Sequence, residues 1–243
     1  MRAACGAKWW WGRRDRFGYA RGMPASITSP EIERYLERLL PPREPLLVEM
    51  EAQALEQGLP IVGPVEARFL FTLARLSQAK RVLELGACSG YSALWLAAAV
   101  EPFGGTVETI ELDPGRAELV DRNVSRSAAA ERITLLRGDA LEILPTLEAG
   151  AYDLIFNDLL RSGAGQTNGV PNQVRFLELT LPLLPSGGLL LSDNVLCDGQ
   201  VAGERPTGAA AGIAEYNRRL ASHPNLETSF VPIRDGVAIS LKR

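Results

Sequence analysis

The spacing of apolar residues changes near residue 80 of this 243-residue chain. Ahead of that point, apolar side chains recur every three or four positions, which predicts α-helices. The first helix is expected to begin after Ser29, an N-cap residue that is followed by proline and glutamate. Two more helices are predicted at Glu44–Gln57 and Val65–Leu76. The N-terminal part of the chain is therefore expected to be helical.

Beyond Arg81, short apolar runs alternate with stretches of helical length, such as Tyr91–Val100, Pro114–Ser127 and Val174–Leu184. This alternation is typical of βαβ units, so we predict a doubly wound α/β fold with a mostly parallel, seven-stranded sheet. A tight turn signal at 234–236 predicts a final hairpin with an antiparallel last strand. The predicted strands are Val82–Leu85, Thr106–Ile110, Ile133–Leu136, Leu154–Phe156, Leu189–Leu191, Thr228–Val231 and Val237–Leu241.

Composition limits the architecture and the partners. With 46% hydrophobic and 23% charged residues, the chain has the make-up of a globular protein with room for one substantial core. We predict a single domain over residues 23–243, with helices at 23–78 and the α/β core at 79–243. A net charge of −3 argues against nucleic-acid binding. No apolar run reaches the roughly 18 residues of a membrane span. A small-molecule partner is the expectation.

The three cysteines, Cys5, Cys88 and Cys197, lie far apart and have no paired spacing. The sequence therefore predicts neither a zinc site nor a disulfide framework. A reducing compartment, the cytoplasm, is expected.

The first 22 residues differ from the rest, being rich in arginine and containing Trp9, Trp10 and Trp11. They lack the apolar run and cleavage site of a secretory signal. We interpret Met1–Gly22 as a tail that is disordered or outside the native chain, because translation from Met23 would place a capped helix soon after the start. A basic arm on a membrane surface is the alternative.

Glycines and acids follow the first three predicted strands. Gly86 and Gly90 lie at the first strand-to-helix turn, where glycine lets the backbone approach a ligand. Glu111 ends the second strand about 25 residues later, where a carboxylate can bind ribose hydroxyls. Asp139 and Ala140 follow the third strand. Open α/β sheets bind ligands at this edge, so these residues predict a nucleoside-type cofactor site.

Each of these signals has a structural alternative. The glycines can form a plain tight turn, and Glu111 can cap the helix that begins near Pro114. The glycine spacing also differs from the dinucleotide pattern and from the phosphate loop, which makes a nicotinamide-dependent oxidoreductase and phosphate binding the weaker interpretations.

At these positions the chain resembles the class I S-adenosylmethionine-dependent methyltransferases, and in particular the catechol and caffeoyl-coenzyme A O-methyltransferases. The most distinctive segments are Glu84–Ser92 and Gly187–Leu196, and the resemblance extends from about Ile61 to Arg243. It implies a Rossmann-like methyltransferase fold and an O-methyltransferase that takes S-adenosylmethionine as its cofactor. It also implies a homodimer formed through the N-terminal helices.

The resemblance assigns roles to single residues. It implies that the first glycine turn contacts the methionine part of the cofactor and that Glu111 binds the ribose. Asp139 and Ala140 would flank the adenine. The turn at Val62 touches the cofactor from the other side. The implied cofactor-binding residues are Val62, Glu84, Gly86, Ala87, Ser92, Glu111, Asp139, Ala140 and Asp158.

The same resemblance implies that Asp158, Asp193 and Asn194 bind a divalent cation, with Mg²⁺ as the expected ion. Three oxygen ligands at the ends of two strands suit a hard cation and leave places for substrate oxygens. The cation would chelate the two hydroxyls of a catechol-type phenol and lower their pKa. The alternative is structural, with a turn at 193–194 and a helix cap at Asp158.

The chain departs from the family where the reacting group is expected. The family usually reads Asp-Ala-Asp-Lys after its fourth strand, whereas this chain reads Asp158-Leu159-Leu160-Arg161. Arginine stays protonated, so Arg161 is expected to stabilise a phenolate, while Asp158 or water accepts the proton. Asp158 and Arg161 are thus the candidate catalytic residues. A cofactor-binding homologue with lost or changed catalysis is the alternative.

Two further segments are expected to contact substrate: Ser162–Pro171, as a lid, and Cys197–Gly212. Packing is expected for Tyr216, and the sole histidine, His223, is expected to be structural.

Overall fold

The computed structural model describes residues 28–162 and 165–243, so the predicted tail and Met23 lie outside the described residues. The helices in the described part are α1 (Pro30–Arg38), α2 (Pro45–Gln57), α3 (Gly63–Ser77), α4 (Tyr91–Val100), α5 (Pro114–Ser125), α6 (Ala140–Ile143), α7 (Asn172–Thr180) and α8 (Gly208–Ser222). The strands are β1 (Arg81–Leu85), β2 (Thr106–Glu111), β3 (Ile133–Arg137), β4 (Leu154–Asn157), β5 (Gln166–Thr167), β6 (Val170–Pro171), β7 (Leu189–Ser192), β8 (Leu226–Val231) and β9 (Val237–Lys242).

Seven of these strands form one sheet in the order β3-β2-β1-β4-β7-β9-β8. The first five in this order run parallel, and β9 runs antiparallel to both β7 and β8. The predicted seven-stranded, mostly parallel sheet with an antiparallel last strand is confirmed. Successive strands are added on one side of β1 and then, from β4 onward, on the other. The strand order therefore reverses between β1 and β4, and a ligand crevice is expected at their carboxyl ends.

Helices cover both faces of the sheet, which explains why its central strands are continuous apolar runs. Every residue of β4 is buried, as are four of the five residues of β1. Each face has its own apolar core, one centred on Leu83, Ile155 and Leu190 and the other on Val82, Leu96 and Phe156. The two cores hold the strand ends, and thus the residues that follow them, in fixed positions.

The N-terminal helices begin where the cap signals indicate. Ser29 caps α1 by accepting a hydrogen bond from the Ile32 amide, and α2 and α3 each have proline in their first turn. The helices α2 and α3 bury one apolar side each, whereas no residue of α1 is buried. No helix in the described residues is long and apolar enough to cross a membrane.

The predicted lid segment contains a short hairpin, in which β5 pairs antiparallel with β6. The Asn172 amide donates to the Gly165 carbonyl at 3.0 Å, and the Thr167 hydroxyl donates to the Asn172 side chain at 2.8 Å. The hairpin is thus hydrogen-bonded to the first turn of α7.

Candidate active site

A cavity of about 780 Å³ opens at the carboxyl ends of β1, β2 and β4, at the point where the strand order reverses. Among the described residues, seven of the predicted site residues line it and the others are buried. The lining residues are Gly86, Glu111, Asp139, Ala140, Asp158, Arg161 and Asn194. The buried ones are Val62, Glu84, Ala87, Ser92 and Asp193.

The glycine turn closes against the end of β2. The amides of Gly86 and Ala87 both donate to the Ile110 carbonyl, at 3.0 and 3.1 Å. Gly86 has a φ of 95°, and a Cβ there would lie 2.9 Å from Leu159 Cδ2 and 3.3 Å from the Asp158 carbonyl oxygen. The cavity wall can approach this closely only because residue 86 has no side chain.

Glu84 lies under the same turn and is fully buried. The Thr109 hydroxyl donates to its Oε2, and the Ser92 side chain lies near its carboxyl group. Burial raises the pKa of Glu84 to about 7. Its Oε1 has no hydrogen-bond partner among the described residues. A buried oxygen of this kind is available for a donor from a ligand.

Two backbone amides hold the Glu111 carboxylate at the end of β2. Oε1 accepts from the Asp113 amide at 2.9 Å and Oε2 accepts from the Cys88 amide at 2.8 Å. The helix-cap alternative for Glu111 is wrong, because Asp113 is the residue that caps α5, accepting from the Arg116 amide at 2.8 Å. Glu111 therefore presents a fixed carboxylate to the cavity.

Asp139 has two roles. It lines the cavity and it caps α6 by accepting the Leu141 amide at 2.8 Å. Ala140, next in the chain, is buried and also reaches the cavity wall. The loop after the third strand therefore borders the cavity, and its contact with the adenine stays a prediction.

Buried acids meet at the ends of β4 and β7. Asp193 lies within hydrogen-bonding reach of the carboxyl groups of both Asp158 and Glu66, and its Oδ1 accepts the Asn194 amide. Burial raises the pKa of all three carboxyl groups, and their mutual repulsion raises those of Glu66 and Asp158 further. None of the described helices is N-capped by Asp158, so the helix-cap alternative does not account for that residue.

Glu66 is a site residue that sequence analysis missed. It lies on the buried side of α3, and the Arg234 guanidinium stands 3.9 Å from its carboxylate. Its Oε1 has no hydrogen-bond partner among the described residues. An acid four residues before Leu70, on the apolar side of a predicted helix, was the available signal.

In the described residues, no group of three or more His, Cys, Asp or Glu side chains has a geometry that would hold a metal ion. Glu66, Asp158 and Asp193 do not form such a group, and the predicted set of Asp158, Asp193 and Asn194 contains only two side chains of those types. The metal therefore stays a prediction.

Arg161 is ion-paired. Its Nη1 donates to Asp198 Oδ1 at 2.7 Å and to Asp235 Oδ2 at 3.1 Å. These bonds raise the pKa of the guanidinium further, so it stays charged. Sequence analysis missed both partners.

Other candidates for chemistry are engaged elsewhere. Lys242 Nζ donates to the carbonyls of Leu181 and Leu184. His223 ends α8 and accepts the Asn225 amide, as expected for a structural histidine. The Tyr216 hydroxyl is buried against Ser192, which confirms its packing role.

Comparison with known proteins identifies the class. The sequence model of a family described as O-methyltransferase matches residues 43–243. A catechol O-methyltransferase from Mycobacterium tuberculosis is 30% identical over 91% of this chain and 100% of its own length. A catechol O-methyltransferase from Niastella koreensis is 31% identical over 86% of this chain and 96% of its own length.

The fold agrees with a solved structure. The O-methyltransferase TomG from Streptomyces achromogenes, in complex with S-adenosylmethionine, is 27% identical and matches with a TM-score of 0.74. The match covers 87% of this chain and 96% of that one.

The sheet order and the cavity at the ends of β1 and β2 are those of a class I S-adenosylmethionine-dependent methyltransferase. Within that class, the chain belongs to the O-methyltransferase family. It is an enzyme with S-adenosylmethionine as its cofactor. The alternative of a homologue without catalysis finds no support among these relatives, which are named as enzymes.

Proposed function

We propose that the chain transfers a methyl group from S-adenosylmethionine to a hydroxyl of a small catechol-type phenol, assisted by a divalent cation. The observation that carries this proposal is the placement of Asp158 and Asn194. Both line the cavity that contains the cofactor residues Gly86 and Glu111, and both are linked to the buried Asp193. An oxygen-rich site at the end of a cofactor cavity suits a hydroxyl acceptor.

The residues present fit the cofactor. The unpartnered Glu84 oxygen lies beneath the turn at Gly86, where a Cβ would fill the wall, and suits the amino group of the methionine part. The two oxygens of Glu111 suit ribose hydroxyls. We assign the adenine to Asp139 and Ala140, with Val62, Ala87 and Ser92 supporting the methionine side of the wall.

The residues present also fit a hard divalent cation. Asp158, Asp193 and Asn194 offer only oxygen ligands, as Mg²⁺ prefers. Glu66 adds a third buried carboxyl group next to them. Among the described residues, Arg234 is the basic side chain paired with it, at 3.9 Å. The cluster is therefore richer in acids than in positive charge, which favours a bound cation. Such an ion supplies Lewis acidity, lowering the pKa of a catechol hydroxyl.

The chain's own residues then position the acceptor and take up its proton. The acceptor oxygen forms a bond to the methyl carbon as the bond from that carbon to sulfur breaks, and the hydroxyl proton passes to Asp158 or to water. Alignment of the two reactants and electrostatic stabilisation of the developing charge accelerate a transfer of this kind.

The acceptor class rests on the relatives. Two of them, at 30% and 31% identity, are named catechol O-methyltransferase, and others are named caffeoyl-CoA O-methyltransferase. The acceptors in those names share two adjacent hydroxyls on an aromatic ring. The cytoplasm is the compartment we propose, in keeping with the free thiols of Cys88 and Cys197.

We also propose a homodimer through the N-terminal helices. On α1 and its C-cap residue, the side chains of Ile32, Tyr35 and Leu39 are 51%, 54% and 64% exposed, and they recur at helical spacing on one side of the helix. Sedimentation of the full chain tests this assembly. A dimer that dissociates in Ile32→Glu and Leu39→Glu variants supports it, and a monomeric parent protein contradicts it.

The metal part is tested by turnover of a catechol acceptor with Mg²⁺ titrated into chelator-treated protein. Wild type is expected to depend on Mg²⁺, and Asp193→Asn to lose at least about 100-fold in kcat/KM at any Mg²⁺ concentration. Asp121→Asn, which removes an exposed acid paired with Arg137, is the control and should match wild type. Full turnover without the cation contradicts the metal role.

A further inference from the structure

The Arg161 side chain joins three loops at one end of the cavity. It follows β4 in the chain, Asp198 follows β7, and Asp235 lies in the turn between β8 and β9. The Arg161 side chain is 35% exposed, that of Asp198 is 23% exposed and that of Asp235 is fully buried. An arginine paired to a fully buried carboxylate is held more firmly than one in an exposed ion pair.

Asp235 also bonds to the main chain of the segment that follows β7. Its Oδ1 accepts the Asp198 amide at 2.6 Å, and its carbonyl oxygen accepts the Leu196 amide at 2.9 Å. The Val195 amide donates to the Gly236 carbonyl at 3.1 Å. The two loops are thus joined by main-chain and side-chain bonds, and Arg161 closes the network from the third side.

The segment held in this way has an unusual backbone. Asn194, Cys197 and Asp198 have φ values of 59°, 48° and 55°, in the left-handed region that residues with a Cβ seldom occupy. Three such residues within five positions persist only where the surroundings hold them. The Cys197 amide donates to the Asn194 carbonyl at 3.2 Å, which connects the segment to the cavity wall.

We propose that Arg161 is a positioning residue, whose ion pairs with Asp198 and Asp235 hold residues 194–198 in this backbone conformation and so orient Asn194 in the cavity wall. The inference rests on the proposed function for its consequence in catalysis. Its structural part stands on the contacts alone. Because both hydrogen bonds of Nη1 go to carboxylates, the positive charge is largely neutralised before an acceptor arrives. Arg161 then acts through the loop and not through contact with a phenolate.

Hydrogen–deuterium exchange of the full chain tests the structural part. The variants are Arg161→Met, which keeps the apolar stem without the charge, Asp198→Asn, which changes one side-chain group, and the double variant. Both single variants are expected to speed exchange of amides in residues 194–202 at least about tenfold. Exchange in the double variant should stay within about twofold of the faster single variant, because both substitutions remove the same interaction.

Arg126→Met is the matched control. It removes an arginine from an ion pair of similar length, 2.6 Å to Glu49, on an exposed surface away from the cavity. Exchange in residues 194–202 should stay at the wild-type rate in this variant. Unchanged exchange in both Arg161→Met and Asp198→Asn overturns the inference.

Kinetics with a catechol acceptor test the functional part. A positioning role predicts that Arg161→Met and Asp198→Asn raise KM by similar factors of about ten, that their effects do not add, and that Mn²⁺ binding weakens in both. A direct role at the phenolate predicts that turnover at saturating acceptor falls at least about 100-fold in Arg161→Met while Asp198→Asn is unaffected, and this result overturns the proposal. If wild type methylates no phenol, the proposed function fails, and the exchange data still decide the structural inference.

Discussion

The carboxyl groups of Glu66 and Asp193 lie within hydrogen-bonding reach of each other, in a place from which solvent is excluded. Two carboxyl groups can share a hydrogen bond only if one of them carries a proton, and burial raises the pKa of both. This contact joins the N-terminal helix α3 to the end of β7. It places a residue from outside the α/β core beside the buried acids behind the cavity wall at Asp158.

Two substitutions of Glu66 distinguish the contribution of its hydrogen bond to stability from that of its charge. Glu66→Gln can donate to Asp193 in place of the shared proton, so we expect its free energy of unfolding to stay within about 1 kcal/mol of wild type. Glu66→Ala leaves Asp193 and Arg234 without this partner, and a loss of about 2–4 kcal/mol is expected. Urea unfolding without added metal measures both. Glu49→Gln, at an exposed acid, is the control. Equal losses in the two Glu66 variants would contradict this account.

Substitution of Gly86 should damage the cofactor site directly. A Cβ there meets Leu159 and the Asp158 carbonyl at 2.9 and 3.3 Å, and its φ of 95° is unfavourable for alanine. For Gly86→Ala we expect a stability loss of about 1–3 kcal/mol and at least tenfold weaker binding of S-adenosylmethionine by calorimetry. Gly150→Ala is the control, because its φ is 70° and no atom lies within 4 Å of the added Cβ. Normal cofactor affinity in Gly86→Ala would refute the assignment of this turn.

Glu111 should matter through both of its oxygens. Glutamine has one oxygen acceptor for the two amides of Cys88 and Asp113, and it has no charge for the ribose. Calorimetry on Glu111→Gln is therefore expected to show S-adenosylmethionine affinity lower by about 10–100-fold. The exposed Glu118, on α5, provides the control variant Glu118→Gln. Wild-type affinity in Glu111→Gln would exclude the ribose role.

Glu84 should make stability depend on pH. Burial raises its pKa from the ordinary 4.5 to about 7, so the folded protein binds its proton more tightly than the unfolded chain. The contribution of this proton to the free energy of unfolding is fully present below pH 4.5 and is lost as the pH rises through about 7. The change amounts to about 3 kcal/mol. Glu84→Gln stays neutral and should lose less stability over this window. Urea unfolding at about pH 5 and pH 8 compares the two, and equal pH dependence would contradict the assignment.

Much of the fold follows from local patterns. The helix at Tyr91–Val100 is found with its predicted bounds, and the strands of the seven-stranded sheet extend the predicted runs by at most two residues at an end. These elements are apolar runs between clear turn signals, and burial on both faces of the sheet reinforces the pattern. The predicted strand-end residues Glu111, Asp158 and Asn194 reach the cavity because parallel strands end at the same edge.

The remaining features depend on contacts between distant parts of the chain. Arg161 pairs with residues 37 and 74 positions away, and no local pattern distinguishes Asp198 or Asp235 from other loop acids. Glu66 lies 127 positions before its partner Asp193, in a helix predicted from apolar spacing alone. The hairpin at 166–171 was expected only as a lid, because four strand residues joined by a polar turn carry too weak a signal for a strand prediction.

Methyl transfer from S-adenosylmethionine to a catechol by the full chain is the most direct test of the central claim. It should be measured with Mg²⁺ and with a chelator, beside a phenol with a single hydroxyl. We predict turnover of the catechol that requires the cation and at least tenfold slower turnover of the single-hydroxyl phenol. Equal turnover of both phenols in the chelator would contradict a metal-assisted, catechol-type mechanism.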